Sequence, residues 1–360
     1  MPAWKRDNGI AVDGVKVDFG KLFIGFCNSG LPGEAMSVSR RSFLHLLAGI
    51  FALPASLRIA RAQGYPTRPL RLIIGFPPGS AADVLARIMS QWLTERIGQP
   101  VIVEAKPGAG GNISVQTVLA SPPDGYNVLL IAASNAINAT LYESLPFNLL
   151  HDLAPVAGLA TFPLALNVNP KLPVKTVPEF VAYAKANPGK ISMASFGRGT
   201  TSHLAGELFM SMTGVRMTHV PYRGSPPAQI DLISGQVEAM FDTLVASLPH
   251  IRSGSIRALA VASERRLDEL PDVSTVAETV PGFEAGGWVG FAVKRGVSPD
   301  IIEKLSATIN EGLANPTVKV RISQLVALPL PLGAAEFSAF VAAETKKWGE
   351  VVRLSGAKPE

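Results

Sequence analysis

From Gln63 onward, short apolar runs alternate regularly with stretches of helical period, and no other feature constrains the fold of this chain as strongly. "PLRLIIGF" is a leucine-rich, β-branched run, and "PPGS" turns the chain. In "AADVLARIMSQWLTERIG" the residues Val84, Leu85, Ile88, Met89 and Trp92 share one helical face. "PVIVEA", the loop "KPGAGG", a helix around "NISVQTVLAS", the turn "PPDG" and the run "YNVLLIAAS" follow. Strand, helix, strand, helix, strand specifies a parallel sheet covered by helices on both faces.

A second set begins with the strand "LALNV". Thr176 and Glu179 are spaced as a capping box at the start of "TVPEFVAYAKANPG", with Pro178 in the first turn. "KISMAS" feeds "SFGRGTTSHLAGELFMSMTG", a helix expected to bury Leu204, Leu208 and Met212. "THVPYR", a helix around "PPAQIDLISG", and "VEAMFD" complete the set. "SIRALAVAS" reads as a strand returning to the first unit, "GGWVGFAVKRG" as a strand, and the chain from Ser298 as helical. The natural packing is an α/β fold of two lobes with two crossovers. Residues 65–165 and 257–360 form lobe 1, and residues 166–256 form lobe 2. No repeat of fixed period interrupts this order.

Charge separates the front of the chain from this body. Residues 1–62 carry eight Lys and Arg against four Asp and Glu, and the whole chain 33 against 28, which leaves 25 against 24 for the body. A nucleic-acid binder would keep its basic excess in the folded part, so no nucleic-acid partner is expected. "SRRSFLHLLAGIFALPASLRIARA" sets Arg40 and Arg41 before an apolar stretch too short to span a membrane, and ends in the small-x-small site Ala60-Arg61-Ala62. Residues 36–62 thus read as a twin-arginine signal peptide for the periplasm. Residues 1–35 precede it without export logic and read as a mis-called upstream extension, with Met36 as the start. The single cysteine, Cys27, lies in that piece, so the body has no disulfide, catalytic thiolate or cysteine metal ligand.

Two strand–glycine–helix junctions carry the chemistry. In "FPPGSAADVLAR", Ser80 and Asp83 are spaced as a helix cap, and Asp83 reads as the cap rather than a ligand contact. The helix start offers N–H groups and the positive end of the dipole to a carboxylate. "SFGRGTTSHL" repeats the device with Gly197, Gly199 and a threonine N-cap, and lacks the lysine of a phosphate loop. His203 in the first helical turn reads as a structural histidine bonded to the loop, because no nucleophile elbow, H-E-x-x-H pattern or carboxylate pair accompanies it. No metal site and no cofactor are expected. Asp242, where "VEAMFD" hands over to a loop, either caps the next turn or receives an amino or amide group of a ligand. Phe76, Phe196 and Trp288 flank glycine-containing loops and are candidates for a ligand wall or for core.

Together these pieces resemble the Bug family of extracytoplasmic solute receptors, the binding components of tripartite tricarboxylate transporters, over nearly all of residues 65–360. The matching stretches are "YPTRPLRLIIGFPPG", "GQPVIVEAKPGAGG", "PDGY", "SFGRGTTSHLAGELF", "HVPYRGS", "MFD", "RALAVAS" and "LPDVSTVAE". The resemblance implies a two-lobed, type II-like periplasmic binding protein that captures a small carboxylate and delivers it to two integral-membrane subunits. A monomer without catalysis is implied. It assigns the ligand grip to Phe76, Gly79 and Ser80 on one side and Ser195, Gly197, Thr200, Thr201 and His203 on the other, with Asp242 nearby and Ser134 on a third loop. Ser80 stands where the family usually has a second glycine, Ala82 where it often has threonine, and Ala105 where it often has asparagine; the lost hydroxyl at Ala82 makes a plain dicarboxylate less secure as the ligand. The competing classes are an exported α/β enzyme acting on a small acid, and a receptor that presents its ligand to a sensor kinase.

Overall fold

The computed structural model describes residues 64–359. The signal segment, Cys27, Met36 and the upstream extension lie outside the described residues.

The first set of elements forms as the alternation dictates. Strand β1 (Leu70–Ile74) leads through a glycine turn into helix α1 (Ala81–Ile97), which ends on Gly98 in the left-handed conformation. Leu85, Ile88, Met89 and Trp92 are buried, whereas Val84 is 37% exposed, because the inward stripe is centred on Leu85 and Met89 and completed by Ala82, Ala86 and Leu93. Strand β2 (Val101–Ala105), helix α2 (Asn112–Leu119) and strand β3 (Asn127–Ala132) follow, and helix α3 (Ala133–Leu141) starts inside the run "YNVLLIAAS" that the sequence suggested was strand throughout. β1 pairs in parallel with both β2 and β3.

A four-residue helix, α4 (Leu149–Asp152), then leads into β4 (Leu153–Val168), a strand of 16 residues where the sequence suggested only its last five. β4 belongs to two sheets. Residues Leu153 to Pro163 pair with the later strand β9, and Leu164 to Val168 pair with strands of the second sheet.

Helix α5 (Val177–Ala186) starts at Thr176, whose Oγ1 accepts the Glu179 N–H. The Glu179 carboxylate reaches one residue further back than a capping box requires, to the Lys175 N–H. Strand β5 (Ser192–Ser195) and helix α6 (Thr201–Thr213) come next. Of the stripe expected on α6, Leu204 is buried, Leu208 is half-buried and Met212 is exposed. A period of 3.6 carries successive i+4 steps off the face, and Ala205 and Phe209 take the inward positions. Strand β6 (Thr218–Pro221), helix α7 (Ser225–Ser234), strand β7 (Ala239–Thr243) and helix α8 (Leu244–Arg252) complete the set.

Strand β8 (Arg257–Val261) does not return to the first sheet. It pairs antiparallel with Ala165 to Val168 of β4, and the following Ala262 N–H bonds to the Leu164 carbonyl. An apolar strand carries no mark of which sheet will receive it, and here the open edge of β4 does. The return comes one strand later, with β9 (Gly286–Lys294) inserted antiparallel between β3 and β4. Helices α9 (Pro299–Ala314) and α10 (Pro316–Ser323), the two-residue strand β10 (Leu328–Pro329) and helix α11 (Ala334–Ser355) end the fold.

The result is two α/β sheets joined side by side, in the order β2-β1-β3-β9-β4-β7-β5-β6, with crossovers inside β4 and between β8 and β9. α11 packs on α3, on β4 and on α6, and so ties the two halves together. Its Phe337 seats on β9 at Gly290, where a Cβ would lie 2.1 Å from the ring. Among the described residues no helix is long and apolar enough to cross a membrane.

Candidate functional site: a cleft between the two sheets

A cavity of about 610 Å³ opens where helix starts of both sheets face one another. Each start is built differently. At α1, Ser80 Oγ accepts the Asp83 N–H, and the Asp83 carboxylate accepts the Gly79 N–H at 2.9 Å. Burial alone would raise the Asp83 carboxyl, but hydrogen bonds from Arg87 and Gly79 outweigh it and hold it below the usual range. Asp83 is therefore a buried cap. Ser80, Ala81 and Ala82 reach the cavity wall, and the first N–H groups of a helix have no partner within it.

At α3 there is no side-chain cap, and Ser134 stands in the first turn against the cavity. The loop after β2 adds Ala109 and Gly110 to the wall. Ala109 has a φ of 48°, in the left-handed region that non-glycine residues seldom occupy. Asn138 of α3 holds this loop, its Nδ2 donating to the Gly110 carbonyl and to Asn112 Oδ1, each at 3.0 Å.

At α6 the threonines divide their duties. Thr200 Oγ1 donates to the Gly197 carbonyl at 2.7 Å and accepts the His203 N–H, so Thr200 is the cap. Thr201, the next residue, lines the cavity and makes no side-chain hydrogen bond among the described residues. Gly199, with a φ of 69°, brings this loop against α3; a Cβ there would lie 2.4 Å from Leu141 Cδ2.

Five of the ten residues expected at the site line this cavity: Phe76, Ser80, Ser134, Thr200 and Thr201. Gly79, Ser195, Gly197, His203 and Asp242 do not, and each has a structural duty instead. Gly79 turns the chain with a φ of 82° and bonds to Asp83. Ser195 is fully buried, accepts the Gly197 N–H and lies 2.7 Å from His219 Nε2. The Gly197 carbonyl anchors Thr200. His203 Nδ1 accepts the Gly199 N–H at 3.1 Å, which places the ring proton on Nε2, facing Glu207. Asp242 is fully buried and accepts from Ser225 Oγ at 2.6 Å, Gln229 Nε2 at 2.7 Å and the Thr243 N–H at 2.7 Å. Burial pushes its carboxyl up, against these hydrogen bonds. With its oxygens engaged by β7 and α7, Asp242 is a hub beneath the site, not a contact in it.

Sequence reasoning missed Arg198, Asn138, Thr243 and the 109–110 loop. "KPGAGG" follows a strand and precedes a helix, as the two recognised junctions do, and that order was the available signal. Of the aromatic candidates, Phe76, Phe196 and Trp288 all reach the wall, joined by Phe162 from β4. Among the described lining residues Arg198 carries the one formal charge, and none is a carboxylate. The arrangement can take up a carboxylate by hydrogen bonds and helix dipoles.

Residues 85–356 match the model of the tripartite tricarboxylate transporter family receptor. The chain belongs to this family. Protein BugT of Bordetella pertussis is 38% identical over 314 residues, covering 86% of this chain and 96% of that protein. The solved structure of R. palustris Rpa4515 with adipate is 33% identical with a TM-score of 0.70, covering 82% of this chain and all of that one. MatC of Rhodopseudomonas palustris with bound malate is 30% identical with a TM-score of 0.66, covering 80% of this chain and all of that one. The two sheets and their crossovers are thus those of a two-lobed periplasmic binding protein, and the chain is a solute-binding receptor of the periplasm.

Proposed function

We propose that this receptor captures a small carboxylate in the cleft between its sheets and hands it to two integral-membrane subunits of a tripartite transporter. One observation carries the reading. Helix starts from both halves, at Ser80, Ser134 and Thr201, line a single cavity, and none of its described lining residues is acidic. Orphan N–H groups and positive dipole ends favour an anion there. Relatives crystallised with adipate and malate support the same class of ligand.

Ser80 and Ser134 form the grip of the first sheet, and Thr201 and Arg198 that of the second. Phe76 and the Thr200 cap complete the wall, while Gly79, Ser195, Gly197, His203 and Asp242 hold the loops in place. The sheets act as jaws that close about β4 and β9, in a monomer that performs no chemistry. Ser195 and His219 make a hydrogen-bonded pair, but the serine is fully enclosed and no carboxylate among the described residues bonds to the histidine, so the pair lacks the orienting third member of a triad.

Binding to N but not U stabilises by about 2.7 kcal/mol at a hundredfold excess over Kd. A thermal-shift screen of dicarboxylates, tricarboxylates and aromatic acids is therefore expected to give a clear rise in Tm for at least one. A rise with uncharged amides only would refute the carboxylate reading. Export through the twin-arginine route is part of the proposal: changing Arg40 and Arg41 to lysine is expected to leave precursor in the cytoplasm.

A further inference from the structure

We infer that the acid this cleft selects has an apolar body, an unsubstituted methylene chain or an aromatic ring, in preference to a hydroxylated one. The inference rests on the carboxylate reading above and specifies what lies beyond the acid group.

The hydroxyls and helix starts that suit an acid come from loops at the strand ends. Between them the floor is made by the joining strands β4 and β9, which place Phe162 and Trp288 there. Phe162 stands opposite Gly287 in the register, so no side chain covers its ring from that position. Phe76 and Phe196 add rings from the loops after β1 and β5, and Val245 and Leu141 add aliphatic surface.

The polar atoms along this floor are already engaged. Trp288 Nε1 donates to Glu344 Oε2 at 2.8 Å, and the same oxygen receives Trp348 Nε1, so the indole turns its polar edge away and leaves hydrocarbon to the cavity. Asn138 Nδ2 is spent on Gly110 and Asn112, and the Thr200 hydroxyl proton on Gly197. The hydroxyls of Ser80, Ser134 and Thr201 stand at the helix starts, where the acid group is placed; away from those starts the side-chain acceptors among the described lining residues are Asn138 Oδ1, Tyr142 and Thr243, and none is a carboxylate. A hydroxyl carried on the body would be buried against rings without a partner, which is costly. Methylenes or a ring there gain affinity, by about fourfold for each CH₂ buried.

The test is calorimetric titration of the purified exported protein with adipate, phenylacetate, malate and citrate at equal pH and ionic strength. Adipate or phenylacetate is expected to bind at least about tenfold more tightly than either hydroxy acid. Malate or citrate binding as tightly or more tightly would overturn the inference while leaving the carboxylate reading intact. Binding by none of the four, nor by any acid of the wider screen, would refute that reading and the inference with it. Val245→Thr supplies a second arm, because it exchanges a methyl for a hydroxyl at nearly constant volume at an exposed position. It is expected to lower the ratio of adipate to malate affinity by about fivefold. An unchanged ratio would place the body elsewhere and overturn the inference.

Discussion

His203 and His219 stack face to face beneath the α6 junction, with ring centroids 3.8 Å apart and planes 18° from parallel. Burial, then the neighbouring His203, then Arg198 lower the His219 imidazolium to about 4, so His219 is neutral at pH 7. A histidine whose folded pKa lies below its unfolded value of 6.5 contributes stability that is present above pH 6.5 and lost as pH falls towards 4. Solvent screening of the half-buried ring reduces the effect to roughly 1 kcal/mol at pH 5. Urea denaturation at pH 7 and pH 5 is expected to show a larger loss in the wild type than in His219→Gln. Equal losses would mean that the stack carries no such linkage.

Much of the fold was legible because local signals agreed with one another: alternation, and caps at Ser80 and Thr176. β4 was not. "LAPVAGLATFPLALNV" contains Pro155 and Pro163, and proline argues against a paired strand. In the structure Pro155 sits beside a bulge in the pairing with β9, and Pro163 stands where β4 leaves β9 for the second sheet. The prolines mark the joint rather than an end. The site was legible at the level of junctions and not of atoms. Which side chain of "SFGRGTTSHL" faces the cleft depends on the turn made at Gly197 and Gly199, whose φ values of 137° and 69° no pattern of residue types specifies.

Thr200 and Thr201 are adjacent but should fail differently. Thr200 Oγ1 serves the Gly197 carbonyl and the His203 N–H. Thr200→Ala is expected to lower stability by about 1 kcal/mol, as loss of an N-cap does. Thr201 has no side-chain partner among the described residues, so Thr201→Ala should leave stability within about 0.5 kcal/mol and weaken ligand binding by roughly tenfold or more. Unfolding and calorimetry on both variants separate the roles. The opposite assignment, with Thr201 carrying the stability, would show that the cap has been misplaced.

Asp242 offers the reverse contrast. Asp242→Ala strips the partner from Ser225, Gln229 and the Thr243 N–H at once. A loss of about 2–4 kcal/mol in unfolding free energy is expected, because buried donors left unpaired are costly. Affinity of the remaining folded protein should change by less than about threefold, since the carboxylate does not line the cleft. A Kd raised by orders of magnitude with stability intact would make Asp242 a ligand contact after all.

Gly199 of the α6 junction packs against Leu141 of α3, and that contact sets the last prediction. Gly199 holds a φ of 69° and leaves no room for a Cβ, which would lie 2.4 Å from Leu141 Cδ2. Gly199→Ala meets two obstacles, the left-handed backbone and the leucine. The first acts in every state of the protein and is expected to cost about 1 kcal/mol of stability. The second bears on how closely the two halves of the cleft approach, so it is expected to weaken ligand binding beyond what stability loss explains. Leu141→Ala removes the obstructing methyls. If the leucine contact is what matters, the double variant should regain part of the affinity that Gly199→Ala loses, a coupling of about 0.5–3 kcal/mol between residues in contact. Strictly additive effects on Kd would mean that Gly199 acts through its backbone alone and that the contact with Leu141 has no part in closure.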